Sequence, residues 1–450
     1  MITRAVIFAV LLLAAASAAR ASSGAGSTAG TTDPGSDQEM VPNRETPGGI
    51  RKAAQESSGE EDQTPGALRW MLKPIKRGMF VRIPVIDTDP NRGITYGVMP
   101  ILVLQGENDD RIKQIHAPSL TYNKDFKLSP TYRYYYYPED DAAFVGRVSR
   151  AKFENEVMTE YTDHSLFGTS YDVLGRFQKN RDAGQRFFGL GPDSPKNAEA
   201  NYIQDYWLYD LAVGTPLRPE SAFRARLSQR YVASRILNGP IPGLPTFADS
   251  FPQQYAQNAE QTAETRLTFD YDTRDHAVTT SKGVYAQAYA EKAVRGFLSQ
   301  YDYERYGAEA RWFVAVPEHP AQVFAVQGRF EQLLGPTPPF WIEPSMGGKY
   351  SLRAYGDGRY IARGTSTLNV EDRIKMYEAR TAGVTTEIQL APFAGLGSVY
   401  DAPQDASVRT VRPVFGAAVR AVARPQVVGS VDFGIGREGL SVFTDINYSF

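Results

Sequence analysis

The chain has 450 residues, a formal net charge of −2 and no cysteine. These values exclude disulfides, thiolate metal sites, cysteine nucleophiles and a lipid anchor on cysteine, and they argue against nucleic acid as the main partner. No internal stretch approaches the ~20 apolar residues of a spanning helix, so any membrane-spanning role requires a closed β-barrel.

Arg4 precedes an apolar run from Ala5 to Ala19, and small residues then offer cleavage after Ala18 or Ala21. Residues 1–21 are therefore predicted to be a secretory signal peptide. Residues 22–67 are rich in Gly, Ser, Thr, Asp, Glu and Gln and nearly empty of large apolar side chains. Such a segment cannot bury enough surface to offset its ordering entropy, which predicts a disordered linker. In 68–79, Leu68, Met71, Leu72 and Ile75 lie at helical spacing among basic residues, with Pro74 limiting any helix. This reads as a short amphipathic periplasmic segment: an interfacial helix, a plug at a barrel mouth, or a patterned linker.

From residue 80 to 450 the dominant period is two. Phe223, Ala225, Leu227 and Tyr231 alternate with Arg224, Arg226, Ser228 and Arg230; Thr265, Leu267, Phe269 and Tyr271 alternate with Glu264, Arg266, Thr268 and Asp270. Strands are predicted near 93–104, 112–122, 129–137, 142–153, 169–179, 203–214, 221–233, 264–272, 283–291, 303–315, 322–331, 365–374, 384–397, 411–422, 427–435 and 440–450, about sixteen in all. Val157–Asp163 is the weak point of that count. Connections at 180–202, 234–263, 332–364 and 398–410 are long. Those at 123–128, 215–220, 316–321 and 423–426 are short, as turns on the periplasmic side of an outer-membrane barrel are. The Arg224, Arg226 and Arg230 face fits an anion-preferring channel or, given the near-neutral chain, a balanced lumen charge network.

Six motifs occur in order. They are Arg186-Phe187-Phe188-Gly189-Leu190-Gly191-Pro192-Asp193-Ser194; Asp272-Thr273-Arg274-Asp275 through Lys282-Gly283; Leu352-Arg353-Ala354-Tyr355; Glu371-Asp372-Arg373; Pro392-Phe393-Ala394-Gly395-Leu396-Gly397-Ser398-Val399; and Val431-Asp432-Phe433-Gly434 followed by Arg437-Glu438-Gly439. Together, over about 90–450, they resemble the barrel of the BamA/TamA insertase superfamily, also called the bacterial surface antigen family. The third resembles its aliphatic-Arg-Gly-aromatic loop, with alanine in place of glycine. Gly395 stands where an aspartate is usual. Members typically carry periplasmic polypeptide-transport-associated domains of roughly 75 residues each. Only 22–79 is available for them, so the chain resembles a barrel-only branch.

The loop around Leu352, Arg353, Ala354 and Tyr355 is expected to fold back into a polar lumen, where an unpaired arginine is costly. Alternation places Asp432, Glu371 and Glu387 on the inner wall, and they are its expected partners in that order. Asp272, Arg274 and Asp275 read as a self-bonded turn. His116, His164, His276 and His319 show no metal-ligand spacing, and no nucleophile elbow or phosphate loop is present. The chain is thus predicted to be non-enzymatic, without metal or cofactor. At the C-terminus, alternation from Leu440 to Phe450 predicts a last strand that pairs with the first to abolish the sheet edges. Tyr448 and Phe450 are the expected membrane-assembly signal.

The predicted fold is thus an all-β transmembrane antiparallel barrel in the bacterial outer membrane. The resemblance implies an assembly factor that aids insertion or transport of outer-membrane proteins or lipids. Its implied partners are outer-membrane lipids including lipopolysaccharide, nascent outer-membrane proteins or a periplasmic protein. A passive channel or structural barrel without client, and a barrel partner of a separate periplasmic protein, stay open.

Overall fold

Alternation over many strands builds a sheet with two unlike faces, and here the sheet curls until its ends meet. A computed structural model of the chain describes residues 72–450 apart from 107–108, 140–141, 220, 277–278, 317–318, 382–383, 424–426 and 446–447. The predicted signal peptide, the predicted linker and residues 68–71 lie outside the described residues.

In chain order the strands are β1 (Leu72–Ile75), β2 (Gly78–Asp89), β3 (Gly93–Gly106), β4 (Asp109–Asn123), β5 (Lys127–Glu139), β6 (Ala142–Arg150) and β7 (Asn155–Asp163). Next come β8 (Asp172–Phe187), β9 (Ala200–Pro216), β10 (Phe223–Asn238), β11 (Glu260–Asp272), β12 (Gly283–Ala293), β13 (Tyr303–Val316) and β14 (His319–Leu334). The last are β15 (Ser345–Met346), β16 (Tyr360–Ile361), β17 (Gly364–Thr381), β18 (Val384–Tyr400), β19 (Arg412–Ala423), β20 (Val427–Gly436) and β21 (Gly439–Asp445). Consecutive antiparallel pairing from β2 to β21, with the small β15–β16 hairpin set apart, gives a nearly closed barrel of 18 strands. β21 meets β2 at the seam, where no ladder pairing joins them among the described residues. Val442 N–H instead donates to Thr88 Oγ1 at 3.0 Å, and the Thr444 hydroxyl donates to the Ile86 carbonyl.

The barrel is inverted relative to a water-soluble sheet. On β11, Leu267 and Phe269 are 44% and 49% exposed, whereas Glu264 and Asp270 on the alternate positions are buried. Phe223 and Leu227 of β10 are likewise exposed, and their neighbours Arg224 and Arg226 bind Asp172. Arg230 binds Asp210 at 2.9 Å, so the three arginines of that face are all paired with carboxylates.

Three expectations are corrected. The barrel has 18 strands, not sixteen, because β2 and β7 add to the predicted set. Inserting β7 shifts the parity of the strands before it relative to those after it. The tight turn between β4 and β5 therefore lies on the rim that carries the long connections 188–199, 239–259, 335–363 and 401–411, not opposite them. Residues 72–75 are not helical: β1 pairs with β2 from Leu72↔Val81 to Ile75↔Gly78. Among the described residues the last strand runs from Gly439 to Asp445, and Tyr448, Ser449 and Phe450 are buried outside it.

Candidate functional site: the lumen loop and its arginine cluster

The 335–363 connection leaves β14, covers the rim and descends into the lumen. Its first part packs Phe340, Trp341 and Ile342 onto Phe187, Tyr202 and Phe247, with Phe187 and Phe340 ring centroids 4.5 Å apart. A second attachment comes from Arg359. It bonds Glu438 at 2.7 Å, the Ser194 hydroxyl at 3.1 Å and the Ser194 carbonyl at 3.0 Å, and it lies over the Phe188 ring. Gly191 N–H donates to the Ile361 carbonyl at 2.7 Å. The 188–199 connection and the β20–β21 hairpin therefore hold the loop at the rim. Planar, multidentate guanidinium bonding of this kind fixes orientation as well as position.

Between these attachments the chain dips to Leu352, Arg353, Ala354 and Tyr355, all buried. Gly434 and Gly436 of β20 make the approach possible. A Cβ at 434 would lie 1.7 Å from the Arg353 carbonyl oxygen, and one at 436 would lie 3.0 Å from the Ala354 methyl. The methyl that replaces the usual glycine is thus accommodated by glycines in the wall. On the other side Leu352 fills the space over Gly397 of β18, where a Cβ would come within 2.8 Å of it. Gly395, in the place of an aspartate, leaves room for the same side chain.

Arg353 Nη1 donates to Glu371 at 2.7 Å and to Asp432 at 2.9 Å, and its guanidinium lies 3.6 Å from the Phe393 ring centroid. Glu387 is also buried on the inner wall, but there it accepts from Gln389 at 3.1 Å. Glu371 is shared: Arg373 Nε reaches it at 2.8 Å and Arg420 Nη2 at 2.9 Å. Asp432 also accepts from the Ser430 and Ser449 hydroxyls. Three guanidiniums thus face two carboxylates in a dry cluster. A charge set of this kind persists only when each member is bonded, since losing one partner strands the others.

The chain's C-terminal residues complete the cluster. Arg373 Nη2 donates to the main-chain oxygen of Phe450 at 2.6 Å, and its guanidinium lies 4.1 Å from the Tyr448 ring centroid. Tyr448 donates to Gln389 at 3.0 Å. Sequence reasoning did not assign Arg420. Its signal was a lone arginine in the small and apolar run Gly416-Ala417-Ala418-Val419-Arg420-Ala421-Val422.

On the opposite rim, the Asp272–Gly283 turn bonds itself. Arg274 binds Asp272 at 2.9 Å, and Asp275 accepts from the Ser281 and Lys282 N–H groups. Against the desolvation that raises it, bonding by the Ser281 hydroxyl and those N–H groups holds the Asp275 carboxyl below its usual range.

A family model for the Omp85 superfamily domain matches residues 143–422. The chain belongs to the Omp85 superfamily. Between Leu72 and the first barrel strand the described residues hold one short strand and no α/β unit. Among solved structures, BamA from Haemophilus ducreyi lacking POTRA domains 1–3 is 14% identical, with 91% of this chain and 81% of that chain covered and a TM-score of 0.49. CdiB from Acinetobacter baumannii is 11% identical over 84% of this chain and 60% of its own, with a TM-score of 0.42. CdiB from Escherichia coli is 10% identical over 88% and 67%, with a TM-score of 0.45. No curated protein sequence matches the chain.

Proposed function

We propose that this barrel spans the bacterial outer membrane and assists the insertion or transport of outer-membrane proteins or lipids. Omp85 barrels are typical of outer membranes and are generally transporters or insertases, not enzymes. Its exposed aliphatic and aromatic outer face suits lipid, and its charged interior suits a lumen. The observation that carries the reading is the seam. Where β21 meets β2, side-chain hydrogen bonds join them and no ladder does among the described residues, so this stretch of wall keeps edges that can pair elsewhere. The partners we propose for this role are outer-membrane lipids including lipopolysaccharide, with nascent barrel proteins or a periplasmic protein.

The test is reconstitution of the full barrel in liposomes with an unfolded outer-membrane protein and, separately, a fluorescent lipid. Faster client insertion or lipid movement than in protein-free liposomes supports the reading. No acceleration of either, together with a steady open conductance in planar bilayers, replaces it with a passive channel.

A further inference from the structure

The two ends of the barrel compete for one strand edge. β2 gives one edge to β3 along its whole length, from Gly78↔Leu104 to Asp89↔Gly93. Its other edge is divided. β21 lies along the far part, with Val442 bonded to Thr88 and Thr444 to Ile86. β1 pairs along the near part, from Gly78 to Val81. Extending the register of β21 by simple counting sets residue 446 opposite Pro84, Tyr448 opposite Arg82 and Phe450 opposite Phe80. Phe80 is already paired with Lys73. Pro84 also offers no N–H, so the ladder lacks a donor where the chain would have to continue. The last residues are found in the lumen, with Tyr448 bonded to Gln389, Ser449 to Asp432 and Phe450 to Arg373.

We propose that residues 72–75 act as a strap that holds the edge of β2 and thereby keeps the C-terminal residues folded inside the barrel. Releasing the strap frees the edge at Phe80 and Val81. The tail then leaves Arg373 and Asp432 and zips onto β2 as an extension of β21. The strap therefore sets two things together: whether the seam is laddered, and whether the arginine cluster under the loop keeps its Ser449 and Phe450 contacts.

The chain has no cysteine, so engineered pairs report position without background. Tyr448→Cys is combined with Gln389→Cys to detect the inward tail, or with Arg82→Cys to detect the zipped one. Both pairs are placed in the full chain and in a chain with 72–75 replaced by Gly-Ser-Gly-Ser, each purified in detergent and oxidised mildly. The expected result is crosslinking of the Gln389 pair alone in the full chain. With the strap replaced, the Arg82 pair rises at least several-fold and the Gln389 pair falls. Lys73→Pro, which perturbs β1 by one residue, is the second variant should the replacement fail to fold, and it gives the same shift to a smaller extent. Crosslinking of the Arg82 pair in the full chain overturns the proposal. So does an unchanged Gln389 pair after the strap is lost, or crosslinking of neither pair.

Discussion

The wall from β2 to β6 and the wall from β17 to β20 carry similar strand lengths but turn opposite materials toward the lumen. In the first, Met79, Val81, Met99, Ile101, Val103, Ile115 and Ala117 form a buried apolar cluster. In the second, Glu371, Arg373, Arg420 and Asp432 form a buried charged one, with the loop arginine pressed into it. Prolines occur in both walls but are denser in the first. Pro84, Pro100, Pro118 and Pro130 sit in four neighbouring strands, against Pro392 of β18 and Pro413 of β19, and pairing of β3 with β4 lapses between Val98↔Leu120 and Leu102↔His116, where Pro100 faces Pro118. Apolar contacts are non-directional and tolerate sliding, whereas bonded charges demand one geometry. The charged wall is therefore a fixed seat for the loop, and the apolar wall beside the seam is the part built to yield.

The contrast is broken most strongly at Glu371. Glu371→Ala leaves Arg353, Arg373 and Arg420 with a single carboxylate between them, and removing one partner of a buried ion pair costs about 3–5 kcal/mol. Thermal unfolding followed by heat-modifiable gel mobility is expected to show a loss of that size. A loss below ~1 kcal/mol would mean that water reaches the cluster and that it is no rigid seat.

The loop carries its own pH response outside the strands. Burial pushes the Glu343 carboxyl up to about 7, with Arg363 opposing the rise and Asp401 adding to it. An acid whose folded value is raised favours the folded loop when protonated, so the contribution is complete below about pH 4.5 and is lost as pH rises through about 7. A tenfold difference in proton affinity between the closed and opened loop is worth about 1.4 kcal/mol. Protease protection of the 335–363 loop is expected to fall between pH 5 and 8 by a few kcal/mol in apparent opening energy. In Glu343→Gln that fall is expected to vanish. Persistence of the full pH response in Glu343→Gln would assign it to another group.

Gly434→Val separates shape from charge within the charged wall. Its Cβ would collide with the Arg353 carbonyl, so the loop must shift while every ionisable group remains. Overpacking of this kind costs about 1–3 kcal/mol. The expected result is a lower unfolding midpoint with easier cleavage of the loop, while the β2–β6 wall keeps its hydrogen-exchange protection.

The same contrast explains what the sequence disclosed. β17 and β20 separate apolar from polar faces, so Glu371 and Asp432 were legible as inward carboxylates from period two alone. β2 was not legible, because Met79, Phe80, Val81, Ile83, Val85 and Ile86 put apolar side chains on both faces and leave no alternation to detect. β7 was obscured for the opposite reason, since Glu156, Thr159, Glu160 and Thr162 leave few apolar residues to mark a face. The tail misled because Leu440 to Phe450 alternates to the end, while the competing claim on its partner edge comes from Leu72–Ile75, several hundred residues away. Asp432 and Glu371 were readable as carboxylates within reach of Arg353, whereas Glu387, the third expected, is bonded by Gln389, and the sharing of Glu371 with Arg420 depends on cross-barrel geometry that no local pattern encodes.

The smallest effect is expected in the yielding wall. Pro118→Thr returns an N–H to a strand flanked by Pro100 and Pro130 and suits the pleated surface, and one added hydrogen bond contributes about 0.5–1.5 kcal/mol. The amides of β3 and β5 beside it should exchange more slowly, with the loop unaffected. The sign matters more than the size. A gain in protection means that missing donors weaken this wall, so that its prolines act together with Pro84 to keep the neighbourhood of the seam loosely laddered. If protection is unchanged, the gap between β3 and β4 is set by the curvature of the barrel, and the difference between the walls rests on their inner faces alone.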